Sequence, residues 1–396
     1  MTERDPEPAG REPAAVAARE RSLRFDRQEW AGAFGDLGTL IPFLIGYVGL
    51  GGIAPASLLA SIGVALVAAG LVYRTPFPVQ PMKAAGAIAI TQAAGGVAIT
   101  AGAIHAAALA TGAFWLLLGL TGAARRIARC MGAPVAQGLV LGLGVAFMIE
   151  GARAMGEGLL VAVPALAGTL LLLRSRAVPA MFLLLALGPL VALAQDPALL
   201  ARLAVLRPGF AWPSLAWPSL DRDAWTVGVL FIAIPQLPLT LGNAVIAVTE
   251  ANNRLFPDRP ASETRVVVTT GAMNLAAGTL GGIPLCHGAG GLAAQVRFGA
   301  RTGGAPVILG TLLLALGLFG SASVATLLEL FPHPLLGVAL FLAGLQLAAG
   351  FGTLARSAGE RAVLLGTAGL AVWNVGIAFV FGVAALALVR RGILRL

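Results

Sequence analysis

Charge is scarce in this chain. Asp, Glu, Lys and Arg supply 11% of its 396 residues, against roughly 25% in a soluble domain. With 58% hydrophobic residues and a mean hydropathy of +0.88, that scarcity excludes an ordinary soluble fold and indicates an all-α integral membrane protein. Cysteine is nearly absent. Cys130 and Cys286 stand far apart in unrelated contexts, which excludes a disulfide framework and a zinc site. Neither an HExxH motif nor an intramembrane carboxylate pair occurs. Cys286 and His287 are adjacent, so on a helix they point about 100° apart and do not face each other as nucleophile and base. An enzyme is therefore not indicated, and neither a cofactor nor a metal is expected. Lysine occurs once, as Lys83.

The formal charge of +9 would raise nucleic acid as a partner in a soluble protein. Here the arginines fall in loops, where they orient a chain in the bilayer, and the lipid bilayer replaces nucleic acid as the expected partner. Residues 1–28 are charged and rich in Pro and Ala, with no continuous apolar core. They predict a solvated, disordered tail, not a cleaved signal peptide, followed by a transporter domain over 29–396.

Apolar stretches predict spans near 31–50, 56–73, 79–95, 102–121, 133–150, 157–173 and 178–195. A second set lies near 224–249, 266–283, 287–298, 305–328, 332–350, 360–375 and 376–391. Between the sets, Pro208, Trp212, Pro213, Trp217 and Pro218 fit an interfacial loop. About 14 segments put both termini on one side. On that side fall 22 arginines, against four (Arg153, Arg202, Arg207, Arg222) on the other. The positive-inside rule then makes both termini cytoplasmic, in a multi-pass protein of the cell membrane. Two seven-segment repeats, 31–195 and 224–391, would lie in inverted orientation, because seven is odd.

Two breaks interrupt these spans. One reads Pro76-Phe77-Pro78-Val79-Gln80-Pro81-Met82-Lys83 and the other Gly281-Gly282-Ile283-Pro284-Leu285-Cys286-His287-Gly288-Ala289-Gly290-Gly291. Non-helical backbone at membrane depth survives only where it lines a cavity or is packed in protein, and a matched pair of breaks points to a transporter's binding site. Each break predicts a short extended segment followed by a half-helix, starting near Met82 and near Gly288. Two half-helix N-termini carry roughly +0.5 charge each and offer unpaired N–H groups to an oxyanion. With Lys83 the positive charge comes to about +2, which suits a tetrahedral dianion. Lys83 serves as countercharge, or else pairs with Asp36 or snorkels to the interface. Asp36 lines the substrate, relays a proton or cation, or is that structural partner; Thr39 lies on the same span. Gln236, Thr240 and Asn243 follow i, i+4, i+7 spacing and bond either ligand oxygens or a neighbouring helix. His287 either donates to the oxyanion or is a satisfied core histidine. His105 and His333 carry no comparable signal, and Glu150 beside Arg153 reads as interfacial.

The stretches Gly35-Asp36-Leu37-Gly38-Thr39-Leu40-Ile41-Pro42, Pro78-Val79-Gln80-Pro81-Met82-Lys83, Pro235-Gln236-Leu237-Pro238-Leu239-Thr240 and Gly282–Gly291 resemble the molybdate transporter family, allied to the SulP sulfate permeases. The resemblance spans roughly residues 30–390. It implies fourteen segments in two inverted seven-segment repeats, divided into a core domain (segments one to four and eight to eleven) and a gate domain. It places substrate between the half-helices of segments three and ten, at Gln80, Pro81, Met82, Lys83, His287, Gly288 and Gly290; Ala289, on the same turn, is also expected to line the substrate. It implies secondary active transport of molybdate by alternating access, with a sulfate permease or, behind it, a proton-coupled nucleobase carrier as alternatives. A co-transported proton or cation and a homodimer are admitted. The chain stops soon after its last span, so no STAS domain is expected.

Overall fold

The computed structural model describes residues 22–49, 52–91, 97–122, 133–172, 180–215, 221–349 and 357–393. Most of the expected tail, 1–21, and Cys130 lie outside the described residues. Order begins before residue 29. Asp26 accepts from the N–H groups of Gln28 and Glu29 and so caps α1 (Arg27–Ala33). A 3₁₀ turn, Phe34–Asp36, leads into α2 (Leu37–Gly49).

The chain then forms α3 (Pro55–Tyr73), β1 (Gln80–Pro81), α4 (Lys83–Thr91), α5 (Ala101–Thr121), α6 (Ala133–Gly156), α7 (Leu159–Leu172), α8 (Ala180–Gln195) and α9 (Ala198–Ala204). A long helix, α10, runs from Arg222 to Leu255 through two π-wound stretches, Gly228–Ala233 and Thr240–Ala247, and bends by 45° between its halves. After it come α11 (Glu263–Thr279), β2 (Leu285–Cys286), α12 (Ala289–Arg297), α13 (Gly304–Phe319), α14 (Ser321–Leu328), α15 (His333–Ala349), α16 (Ala358–Trp373) and α17 (Val375–Arg390). Among the described residues, α3, α5 and the Gln137–Gly156 part of α6 are by themselves long and apolar enough to cross a bilayer. The stretch expected as one span over 305–328 is instead two helices, α13 and α14, meeting at 106°. Gly320 takes the turn between them. The division at Asn374 is real: its side chain accepts the N–H of Ile377 and caps α17.

Glycine sets how closely the helices approach. The most extensive packing joins α6 to α15, α5 to α11 and α3 to α13. On α6, Gly144 and Gly151 face Gly344 and Gly337 of α15, in antiparallel order. A Cβ on Gly144 would stand 2.7 Å from the Gly344 carbonyl oxygen, and one on Gly151 would stand 2.6 Å from that of Gly337. The same ladder recurs between α3 and α13, where Gly63 meets Gly310 and Gly70 meets Gly303. Both ladders space their glycines seven apart, two helical turns, which keeps them on one face. Backbones held this close gain dispersion contacts that lipid cannot supply.

Loops fall into two groups by contact. In one, Arg259 donates to the Arg74 carbonyl, Arg265 to that of Val72 at 2.8 Å, and the Arg24 N–H to Thr302 Oγ1 at 3.1 Å. The Glu29 carboxylate accepts from the N–H groups of Arg301, Thr302 and Ala305, capping the start of α13. In the other group, Arg202 bridges Asp196 and Glu329, Ser214 bonds Ser57, and His333 lies 3.5 Å from Glu157. The Trp-Pro loop runs extended past the end of α13, with the Gly209 and Ala211 N–H groups donating to Phe319 and Leu318.

Candidate anion-binding site

The two breaks satisfy each other. Proline removes donors and holds backbone extended, so Pro76, Pro78 and Pro81 prevent α3 from continuing into α4. Arg74 turns the chain out of α3 in the left-handed region (φ 58°), and Thr75 donates to Asn252 of α10 at 2.7 Å. Gln80 then pairs with Cys286 and Pro81 with Leu285 in a two-stranded antiparallel bridge, while the Met82 N–H donates to Pro284 at 2.8 Å. Asn274 of α11 clamps Leu285 from behind. Its Oδ1 accepts the Leu285 N–H at 2.8 Å, and its Nδ2 donates to the Leu285 carbonyl at 2.6 Å. Buried backbone polar groups are costly unless paired; here two distant breaks and one asparagine pair them. Consequently α4 and α12 start from opposite ends of one paired segment.

Their N-termini differ. At α4, Gln236 Oε1 accepts from the N–H groups of Ala84 (2.8 Å) and Ala85 (3.3 Å), while its Nε2 donates to Thr240 Oγ1 at 3.0 Å. Gln236 and Thr240 are thus a buried cap on the first half-helix. At α12 the N-cap is Gly288, which has no side-chain oxygen to offer the first turn, and no described side chain accepts from that turn's N–H groups. Ala289 is half-buried, Gly290 is exposed, and a Cβ on Gly290 would meet open space. A Cβ on Gly288 would stand 2.5 Å from Gln80 Oε1 and 3.7 Å from Asn243 Nδ2, so the latter two side chains close over the turn. Asn243 is half-buried and sits in the second π-wound stretch of α10. Such stretches re-aim side chains relative to an α-helix and recur at functional sites, and this one moves Asn243 off the simple i, i+7 face.

Lys83, on the first turn of α4, is half-buried, and no described carboxylate lies within ion-pair distance of it. The side chains of Asp36 and Thr39 lie outside the described set, so the expected Asp36 contact does too. Pro81 and Met82 are buried in the paired segment, Met82 fully. His287 is 1% exposed. Its Nδ1–H donates to the Pro78 carbonyl at 2.8 Å, and its Nε2 meets Thr269 Oγ1 at 3.2 Å. Its ring stacks edge-on to Phe77 and Tyr73. Both ring nitrogens therefore face protein: His287 ties one break to the other.

Three contributors were not evident in sequence: Tyr47, Asn274 and Thr269. The chain has two tyrosines, and both pack here. Tyr47 is fully buried, its hydroxyl lacks a hydrogen-bond partner and lies 3.5 Å from where a Gly86 Cβ would stand, and it is in electrostatic reach of Cys286. A lone asparagine or threonine in an apolar span was the available signal, but nothing local says which break it serves.

The fold defines a class, a multi-pass helical membrane protein. Solved structures of similar fold include the transmembrane domain of a cyanobacterium bicarbonate transporter, BicA (TM-score 0.66, 17% identity, covering 91% of this chain and 98% of that one). Another is the murine Slc26a9 anion transporter in the inward-facing state (TM-score 0.67, 12% identity, covering 100% and 74%). By sequence, the chain is 32% identical to Molybdate transporter 2 of Arabidopsis thaliana over 369 residues, 81% of this chain and 78% of the relative. It is 31% identical to Molybdate transporter 1 of the same plant over 362 residues, 80% and 78%. Residues 28–147 and 228–347 match the family described as "Molybdate transporter of MFS superfamily"; the chain belongs to the molybdate transporter family.

Proposed function

We propose that this chain is a secondary active importer of molybdate, working by alternating access in the cell membrane, with both termini cytoplasmic. The observation that carries the reading is the N-terminus of α12, which Gly288 leaves without an N-cap side chain, at the paired segment that also leads into Lys83. Gly288 brings no side-chain oxygen to that end, no described side chain accepts from the N–H groups of Ala289, Gly290 and Gly291, and Gly290 opens onto unfilled space. Helix end and lysine together supply about +1.5 charge, because Gln236 already occupies the α4 end. A lysine at membrane depth costs about 2.5–3.5 kcal/mol on lenient scales, a penalty that an anion offsets. Molybdate, a tetrahedral dianion, fits this charge; a neutral nucleobase does not use it. Gln80 and Asn243 border the same turn and would contact the anion's oxygens. Gln236, Thr240 and His287 hold the half-helices in place around it.

Fourteen segments in two inverted seven-segment repeats account for the packing. Under exchange of the halves, the α3–α13 pair would map onto α11–α5, and β1–β2 and α6–α15 onto themselves, a correspondence that the helix packing supports. The family match falls once in each half. The core, carrying both half-helices, would then shift against the gate and expose the site to each side in turn.

The test is uptake of labelled molybdate by the purified protein in liposomes, with Lys83→Ala and Gly290→Val. The valine enters open space, so the fold persists while the anion's place is filled. Both variants are expected to lose uptake at least tenfold with unchanged thermal unfolding. Normal uptake by both would move the site elsewhere. An equimolar sulfate competitor that abolishes molybdate uptake would make sulfate the substrate.

A further inference from the structure

The hydroxyl network around His287 has two complete hydrogen-bonding patterns that differ by one proton. In both, Nδ1–H donates to the Pro78 carbonyl at 2.8 Å and the Tyr73 O–H donates to Thr269 Oγ1 at 2.6 Å. With a neutral ring, the Thr269 O–H donates to His287 Nε2 across 3.2 Å. With a charged ring, Nε2–H donates to Thr269 Oγ1, and the Thr269 O–H rotates to the Val266 carbonyl, 3.1 Å away. One hydroxyl rotor turns and no heavy atom moves. A histidine serving only as a structural tie needs one of these patterns; the surroundings supply both.

The groups that set the ring's charge come from every element packed on it. From α3 comes Tyr73, and from the first break Phe77 and the Pro78 carbonyl. From α11 come Thr269 and, beyond Tyr73, the Arg265 guanidinium, 5.3 Å from the centre of the tyrosine ring. On its own segment stand Cys286 and the first turn of α12. Among the described side chains around the ring, none is a carboxylate. A buried imidazolium without a countercharge is unfavourable, so the empty site holds the neutral ring. An oxyanion on the N–H groups of Ala289, Gly290 and Gly291 would be that countercharge, two to four residues along the chain.

We infer that His287 binds one proton together with the oxyanion, making the carrier a proton–oxyanion symporter at this step. This rests on the anion site proposed above. The proton comes from water on the loading side, adds to the Nε2 lone pair, and leaves when the anion leaves. By linkage, each ligand tightens the other's binding by the same factor.

Calorimetry of molybdate binding to the purified wild-type protein tests both parts separately. Heat of binding in buffers of different ionisation enthalpy reads protons taken up per anion; about one is expected near pH 7. The Kd should tighten as pH falls from 8 to 6, by up to about tenfold per unit, as one linked proton requires. In His287→Asn, whose amide keeps the donor to Pro78, molybdate should still bind and both proton uptake and pH slope should vanish. Binding by wild type without proton uptake, or uptake that persists in His287→Asn, would overturn the inference while leaving the anion site standing. Absence of molybdate binding by the wild type would overturn the anion site itself.

Discussion

At the scale of single residues, the site is built as much from side chains that serve backbone as from those that would touch substrate. Gln236 was a candidate ligand by its spacing with Thr240 and Asn243, yet its carbonyl oxygen is spent on Ala84 and Ala85. Gln236→Ala leaves those two donors without that acceptor and is expected to lower stability by about 1–3 kcal/mol, read by thermal unfolding in detergent. A Tm equal to wild type would show that another group caps α4. Tyr47 predicts the opposite sign. Its buried hydroxyl has no partner, so Tyr47→Phe removes an unpaired polar atom and keeps the ring. Stability is expected to rise by roughly 1 kcal/mol, and a loss of that size would mean the hydroxyl is bonded. Asn274 could not be assigned from sequence, because two of its three bonds reach Leu285, eleven residues on and across a chain reversal.

At the scale of elements, helix ends and helix faces carry the argument. Glu29 caps α13 from α1, and burial holds its carboxyl above the ordinary glutamate value of 4.5, against the pull of its backbone donors. A raised value means that the folded protein binds the proton more tightly than the unfolded chain. Stability should then fall as pH rises through the window above 4.5. Glu29→Gln should flatten that dependence; a pH slope unchanged in the variant would place its source elsewhere. Faces are tested by Gly344→Val. Its side chain has to enter the α6 backbone at Gly144, at a cost of about 1–3 kcal/mol or more. Gly369→Val on α16, where a Cβ meets nothing within 4 Å, should be tolerated. Equal yield and Tm for both would deny the α6–α15 ladder. The breaks were legible as elements because proline and glycine punctuate them in an apolar background. Their pairing as a β-bridge was not, since Gln80 and Cys286 carry no local sign of each other.

At the scale of the whole molecule, sidedness follows from charge and is checked by labelling. The loops carrying Arg24, Arg74, Arg259, Arg265 and Arg301 gather at one end, and Arg202, Glu329 and Glu157 lie at the other. In a background lacking native cysteines, a cysteine at Arg259 should react with an impermeant maleimide only after cells are permeabilised. One at Ala211 should react in intact cells. The reverse pattern would invert the topology proposed here. The sharp turn at Gly320 was hidden in the sequence, because apolar composition continues through it unchanged.

Composition and local pattern by themselves determined that this is a membrane protein, where its two breaks fall, and the family it belongs to. These properties depend on contiguous residues: apolar runs, proline and glycine, and arginines between runs. Only the tertiary structure decided that Gln236 closes α4 while Gly288 brings no side-chain cap to α12, and that His287 faces Pro78 and Thr269. Those outcomes depend on hydrogen bonds between residues as much as 209 positions apart, and periodicity along a chain carries no information about which distant partner a polar group will meet.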